Sequence, residues 1–367
     1  MRFTTEKSEI AQTLQMSSAI AERRQTIPIL SNLRIVAREN TLEITATDLE
    51  IQIITKTKIK SVSEPGETTV SARKMAELCR SLPDKESLDF SLINGKLSVI
   101  SKNFHADFST ISASDFPELQ KSQTINSFEI KNSIFKHLLE KTFFCMASQD
   151  VRYYLNGLLL EFNDLNLNSV ATDGHRLALA TKKVDHKINE LVRVILPRKA
   201  VLELSKILDS MEENIAISFG TSSFTAEDQN LIFSCKLIED KFPDYNKVFP
   251  TGDSSNLHIS RENLQSALFR SSVLSNEKYR GVKFSLNKDS LKLTANNPEQ
   301  ESAEEILEVN YSGSEMEIGF NIGYLLDVLN SFETDDVELC FYGEESSCLI
   351  KEKGNNSEAY VIMPMRL

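Results

Sequence analysis

Asp173, Gly174, His175 and Arg176 put a carboxylate, an imidazole and a guanidinium within four consecutive residues. An Asp–His pair can move a proton by general acid–base catalysis, or supply two metal ligands. Either use asks for more than the pair. A zinc site needs a further His or Cys at ligand spacing, yet His105, His137, His186 and His258 are scattered, and Cys79, Cys145, Cys235, Cys340 and Cys348 form no Cys-x-x-Cys. No Gly-rich phosphate loop or nucleophile elbow occurs. The residues therefore favour a binding site with no cofactor. A three-domain hydrolase or ligand-binding protein using Asp173 and His175 remains the alternative reading.

The elements that position these residues recur. Ala171-Thr172-Asp173 has echoes in Ala46-Thr47-Asp48 and Ala295-Asn296-Asn297, so the acid or amide falls at 48, 173 and 297. Four other landmarks keep the same order: strand openings at Asn32, Asn156 and Gly281; helix starts near Arg73, Arg198 and Gly323; apolar helical faces at Ile10, Phe135 and Leu264; and closing segments at Phe116-Pro117, Phe242-Pro243 and Met363-Pro364. A period near 125 residues implies three copies of one ancestral unit. The expected domains are 1–125, 126–250 and 251–367.

A chain of 367 residues with 41% hydrophobic residues can give each unit its own core. No run of about 18 apolar residues is present to span a bilayer, and the N-terminus has no signal-peptide apolar stretch, so a cytoplasmic protein is expected. The odd number of cysteines without metal spacing reads as reduced, buried thiols.

Two periodicities alternate within each copy. Leu42, Ile44 and Ala46, like Leu291 and Leu293, alternate with polar residues as half-buried strands do. Met75, Leu78, Cys79 and Leu82 follow helical spacing, as do Val201, Leu204 and Leu208, and Leu325, Val328 and Leu329. Ser71 is placed to cap the first of these helices, and Pro197 to open the second. About two helices among many short strands per copy predict an α+β fold, with antiparallel sheet outside a helix pair.

The net charge is −12, which argues against an ordinary nucleic-acid binder with one strongly basic face. The distribution is uneven. Five of the six helical segments are net positive, from +1 over 7–24 to +2 over 73–82, and the sixth, 321–331, carries −1. Helices gathered on one surface would make it basic while the sheet side is acidic, a division suited to a polyanion held on one side.

The three-fold repeat, Ala171-Thr172-Asp173-Gly174-His175-Arg176-Leu177, the segment from Gln149 through Arg152 to Gly157, Ala295-Asn296-Asn297-Pro298-Glu299 and the terminal Met363-Pro364-Met365-Arg366-Leu367 together closely resemble the bacterial DNA polymerase III beta subunits, the sliding clamps. The resemblance spans the whole chain. It implies a non-catalytic processivity factor: a head-to-tail homodimeric ring of six domains, helices lining duplex DNA and sheets forming the rim. Twelve helices about 10 Å across, side by side, give an opening of roughly 38 Å, room for a duplex about 20 Å wide. A topological link explains how an acidic protein serves DNA, since a ring needs only weak attraction and can slide. The implied partners are double-stranded DNA, primer-template junctions, a clamp loader, the polymerase III core, and other clamp-binding polymerases and repair proteins; no membrane is involved.

The resemblance also implies sites. Arg24, Arg73, Gln149, Tyr153 and Tyr154 match positions that touch DNA, with the last three on a protruding loop. Leu155, Thr172, Gly174, His175, Arg176, Leu177, Pro243 and Val248, with Val361, Ile362, Met363, Pro364, Met365, Arg366 and Leu367, match a groove between domains 2 and 3 that accepts partner peptides with Leu and Phe anchors. Lys247 stands where relatives carry Arg, which keeps the charge and loses bidentate recognition. At the dimer contact Glu299, Glu301, Glu304, Glu305 and Glu308 face Lys74 and Phe108 of the other subunit, beside Val273 and Leu274. Ala106 occupies a slot where relatives often carry an aromatic.

Overall fold

The structure, a computed structural model, describes residues 1–21, 27–120 and 122–366. Six α-helices are present among them: α1 Lys7–Ile20, α2 Ala72–Ser81, α3 Asn132–Glu140, α4 Arg198–Ile207, α5 Arg261–Ser272 and α6 Ile322–Ser331. All strand pairings are antiparallel, and the chain folds as two compact units, Met1–Ser133 with Lys199–Leu237, and Ile134–Arg198 with Ile238–Leu367.

The helices begin where side chains satisfy their free N–H groups. Ser71 Oγ accepts the Lys74 N–H at 3.5 Å, Ser260 Oγ accepts that of Asn263 at 3.4 Å, and Asn321 Oδ1 accepts that of Tyr324 at 3.2 Å. At α1 the job falls to a capping box, in which the Glu9 carboxylate accepts the Glu6 N–H at 2.8 Å. Pro197 departs from expectation. It ends the long strand Arg176–Pro197, directly ahead of α4 rather than in its first turn. The apolar faces are buried: Ile10, Leu14 and Ile20 on α1, Met75 and Cys79 on α2, Val201 and Leu204 on α4, Leu264 and Leu268 on α5, and Leu325, Val328 and Leu329 on α6. All five cysteines are free and buried.

In the first unit, 13 strands among the described residues form one sheet, and α1 packs on α2 and on the strands Thr41–Thr47 and Ile51–Lys58. This sheet joins two sequence repeats: Ile51–Lys58 of the first copy pairs with Leu231–Lys236 of the second, Ile51 opposite Cys235. The second unit does the same with a seven-stranded sheet among the described residues, where Arg176–Pro197 pairs with Glu358–Ile362, Arg176 opposite Ile362. Sheets are therefore not confined to single repeats. An unpaired strand edge exposes a row of N–H and C=O groups, and the last strand of the next copy covers it. A four-stranded sheet completes the second unit, ending in the strand Ser302–Glu308, which α5 covers on one face.

Candidate functional site: an apolar groove beside the Asp173 turn

The reversal between Gly157–Thr172 and Arg176–Pro197 is built by its own side chains. Thr172 Oγ1 donates to the Arg176 carbonyl at 2.6 Å and accepts the Gly174 N–H at 3.1 Å, while Asp173 Oδ1 accepts the N–H groups of His175 and Arg176 at 2.9 and 3.0 Å. Gly174 sits at φ +87°, the left-handed region that favours glycine. The Asp173 carboxylate is thus committed to the turn and to the Arg176 Nε, 3.1 Å from Oδ2. His175 is exposed. The acidic half of the pair that could have done acid–base chemistry braces the turn.

Arg176 is nearly enclosed. Its guanidinium donates to Asp327 Oδ2 at 2.6 Å and to the Phe144 carbonyl at 2.8 Å, and lies 4.4 Å from the Tyr324 ring centroid. Burial opposes its charge, but its interactions with Cys145, Asp327 and Asp173 outweigh it and its pKa lies above the ordinary arginine value.

Against this turn lies a cavity of about 190 Å³ lined by Arg152, Tyr154, Leu155, Thr172, Gly174, Arg176, Pro243, Val248, Val361 and Met363. Behind it a buried cluster of Leu159, Val170, Leu177, Ile195, Phe242, Tyr245 and Val361 forms the floor. The Met363 N–H donates to the His175 carbonyl at 2.9 Å, and that of Met365 to the Gly319 carbonyl at 2.9 Å, so the chain end runs along the rim. Arg152 guards the mouth: it chelates Asp150 through two 3.0 Å contacts, and a Cβ added to Gly174 would stand 3.1 Å from its Nη2. The Arg152 guanidinium holds the Asp150 carboxyl down at about 2. The chemistry is that of an apolar slot with a cationic lip, suited to branched or aromatic side chains rather than to bond making.

Of the residues expected in the groove, Leu155, Thr172, Gly174, Arg176, Pro243, Val248, Val361 and Met363 meet there. Leu177 and Ile362 are buried, Leu177 in the floor cluster; Pro364, Met365 and Arg366 lie past the cavity, and Leu367 falls outside the described residues. Lys247 is exposed, 3.6 Å from Asp244. Arg152 was not expected as lining. Its signal was the Asp150-x-Arg152 spacing next to a turn glycine, which only the folded chain connects. Tyr154 needs correction as a projecting residue: it is half-buried, edge-on to Phe242 at 6.4 Å, and faces the groove, whereas Tyr153 is 73% exposed. The two tyrosines share a 3₁₀ turn, Tyr153–Asn156, whose tight winding sends neighbours different ways.

Gln149 is exposed at φ +61°, and Arg73 is exposed on α2 with its Nε 2.8 Å from Glu77; Arg24 lies outside the described residues. The helical surplus of positive charge is partly spent inside the protein. Lys7 pairs with Asp84, Lys199 with Asp48 at 2.5 Å, Arg198 with the Met146 carbonyl at 2.7 Å, and buried Lys141 with Glu358 at 3.8 Å. Of the acidic run, Glu305 pairs with Arg270 and Glu304 with Lys292 at 2.8 Å, Glu301 accepts from Asn297 at 2.6 Å, and Glu299 and Glu308 are exposed. Val273 is 71% exposed, Lys74 is exposed, and Leu274 and Phe108 are partly buried.

Three family models match successive segments: the DNA polymerase III beta subunit N-terminal domain over residues 1–120, the central domain over 129–244 and the C-terminal domain over 246–366. The chain is 42% identical to beta sliding clamps of Pseudomonas putida and Escherichia coli, over the full length of each. Among solved structures, a DnaN sliding clamp from Pseudomonas aeruginosa bound to griselimycin superposes with a TM-score of 0.97 at 42% identity, and Caulobacter crescentus pol III beta with 0.94 at 31%, both covered completely. Six helices with antiparallel sheets are the three-domain clamp architecture of these proteins. The chain belongs to the DNA polymerase III beta subunit family, the beta sliding clamps.

Proposed function

We propose that two copies of the chain close head to tail into a ring around duplex DNA, and that the groove beside the Asp173 turn tethers replicative and repair polymerases to it. The observation that carries the ring is the pairing rule of the repeats. The strand after the acid turn of the first copy pairs with the last strand of the second, and that of the second with the last strand of the third. Among the described residues, the corresponding strand of the third, Ser302–Glu308, ends its sheet with an unpaired edge, and the last strand of the first, Phe104–Ile111, pairs along its second edge only at Thr110 and Ile111. A second copy satisfies both edges by the same rule. Ile306, 70% exposed, and Val273 supply apolar area on the strand and helix that would meet it, with Lys74 and Phe108 across the contact and Glu299, Glu301, Glu304, Glu305 and Glu308 around it.

On this reading the domain boundaries lie near residues 125 and 250, the protein is not an enzyme, and it works in the cytoplasm on primer-template junctions after a clamp loader opens it. Arg24, Arg73, Gln149 and Tyr153 touch DNA. The peptide occupies the cavity between Gly174 and Met363, its anchors on Leu155, Pro243, Val248 and Val361. The committed carboxylate of Asp173 supports a binding role over a hydrolytic one. Sedimentation at micromolar concentration should give the mass of two chains; a monomer that is still retained on circular DNA would contradict the closed dimer.

A further inference from the structure

The groove's Pro243–Val248 wall belongs to an irregular stretch between the strands Leu231–Lys236 and Ser255–Ser260, with one short 3₁₀ turn, Tyr245–Val248. Such a wall has little regular hydrogen bonding to hold it at a set distance from Gly174. Its Ile238 N–H reaches the Ile195 carbonyl at 2.9 Å, ahead of the wall itself. The wall's own tie is a side chain. Tyr245 Oη donates to Glu161 Oε1 at 2.6 Å, and both residues are buried, 4% and 5% exposed. Glu161 also accepts from Asn168 Nδ2 at 3.0 Å and Arg193 Nε at 2.6 Å, while Thr181 donates to Asn168 Oδ1 at 2.8 Å. Burial alone would lift the Glu161 carboxyl; these donors lower it below the ordinary glutamate range, so it stays ionised.

We propose that Glu161 and Tyr245 are positioning residues that fix the width of the groove and so set its affinity for partner peptides, a role that rests on the groove reading above. The other repeats supply the contrast. Five residues past the strand opening and two past the closing proline, the first copy has Ala37 and Leu119, and the third has Leu286 and Arg366. The closing segment of the first copy is held differently, its Leu119 N–H donating to the side-chain oxygen of Gln52, Oε1, at 2.9 Å. A buried carboxylate is costly to desolvate, and of the three equivalent positions, Ala37, Glu161 and Leu286, only the second is acidic. The carboxylate is also fully partnered, as a precise spacer has to be.

The test uses the full-length protein and a fluorescein-labelled peptide carrying Gln, Leu and Phe anchors. Tyr245→Phe and Glu161→Leu should each weaken binding about tenfold, about 1.4 kcal/mol, while the two-chain mass is kept. Glu161→Gln, whose amide oxygen still accepts the hydroxyl, should lose less than threefold. Should Glu161→Leu melt early, Tyr245→Phe decides alone, because its Glu161 keeps Arg193 and Asn168. Tyr245→Phe binding within twofold of the parent, or Glu161→Gln as weak as Glu161→Leu, overturns the proposal. Deleting residues 363–367 is the separate control: parental binding by that variant would show that the peptide lies elsewhere and overturn the groove reading itself.

Discussion

The turns at Thr47–Ile51 and Thr172–Arg176 are the same device with one difference. In the first, Thr47 Oγ1 donates to the Ile51 carbonyl and accepts the Leu49 N–H, and Asp48 Oδ1 accepts the N–H groups of Glu50 and Ile51, matching the Thr172 and Asp173 contacts one for one. The left-handed position, however, holds Leu49 at φ +76° where the second turn has Gly174. Leucine there costs about 1–2 kcal/mol of backbone strain. Its side chain packs against Ile29, Leu30 and Phe116, so the space that is a groove in the second copy is filled in the first. A second exchange accompanies this one. The cation on Asp48 is Lys199 from α4, whereas the cation on Asp173 is Arg176 from its own strand, with Tyr324 stacked on it where the repeat would put a lysine. One scaffold thus gives a closed junction with Leu49 and an open one with Gly174.

That comparison breaks most sharply at Gly174. Gly174→Leu should fill the groove as Leu49 does, and losing two apolar anchor contacts at about 1.5–3 kcal/mol each predicts at least a hundredfold weaker peptide binding. Binding within threefold in a polarisation assay would mean that the open position does not make the site. Deleting residues 363–367 removes Met363 from the lining and should cost roughly a hundredfold as well, with the dimer and melting temperature close to parental, because the last strand ends at Ile362. The reciprocal change, Leu49→Gly, relieves strain but empties a packed site, for a net loss of about 1 kcal/mol in urea unfolding. A gain in stability would show that Leu49 is held at more cost than its contacts return.

The smallest effect belongs to His175. His175→Ala should weaken the peptide less than threefold, since the ring is exposed and only its carbonyl holds Met363. Affinity should also be flat from pH 8 to 5.5. A depressed carboxylate keeps its contribution above the ordinary range and loses it only as pH falls through its folded value, which for Asp150 is about 2. A fall in affinity within that range would show that a further titrating group carries a contact.

Spacing made the repeats and the Ser71 cap legible, because a period locates equivalent positions, whereas the eight groove residues came from the resemblance of the Asp173 segment and the chain end to the sliding clamps. Pairing was less visible. Nothing in Leu231–Lys236 says that it joins Ile51–Lys58 rather than its own repeat's first strands, since both edges offer the same backbone groups. Charge misled in part. Lys7, Lys141 and Lys199 read as a basic surface but are bound to Asp84, Glu358 and Asp48. Glu161 and Tyr245 went unread for a different reason: they are 84 residues apart, and a buried Glu has no pattern until its donors surround it.

A closed ring is linked to circular DNA by topology, which can be tested without reference to any single contact. Protein loaded by an ATP-driven clamp loader onto nicked circular DNA should stay bound through gel filtration in high salt and be lost once the circle is linearised. Equal retention on circular and linear DNA, or loss from both, would contradict it.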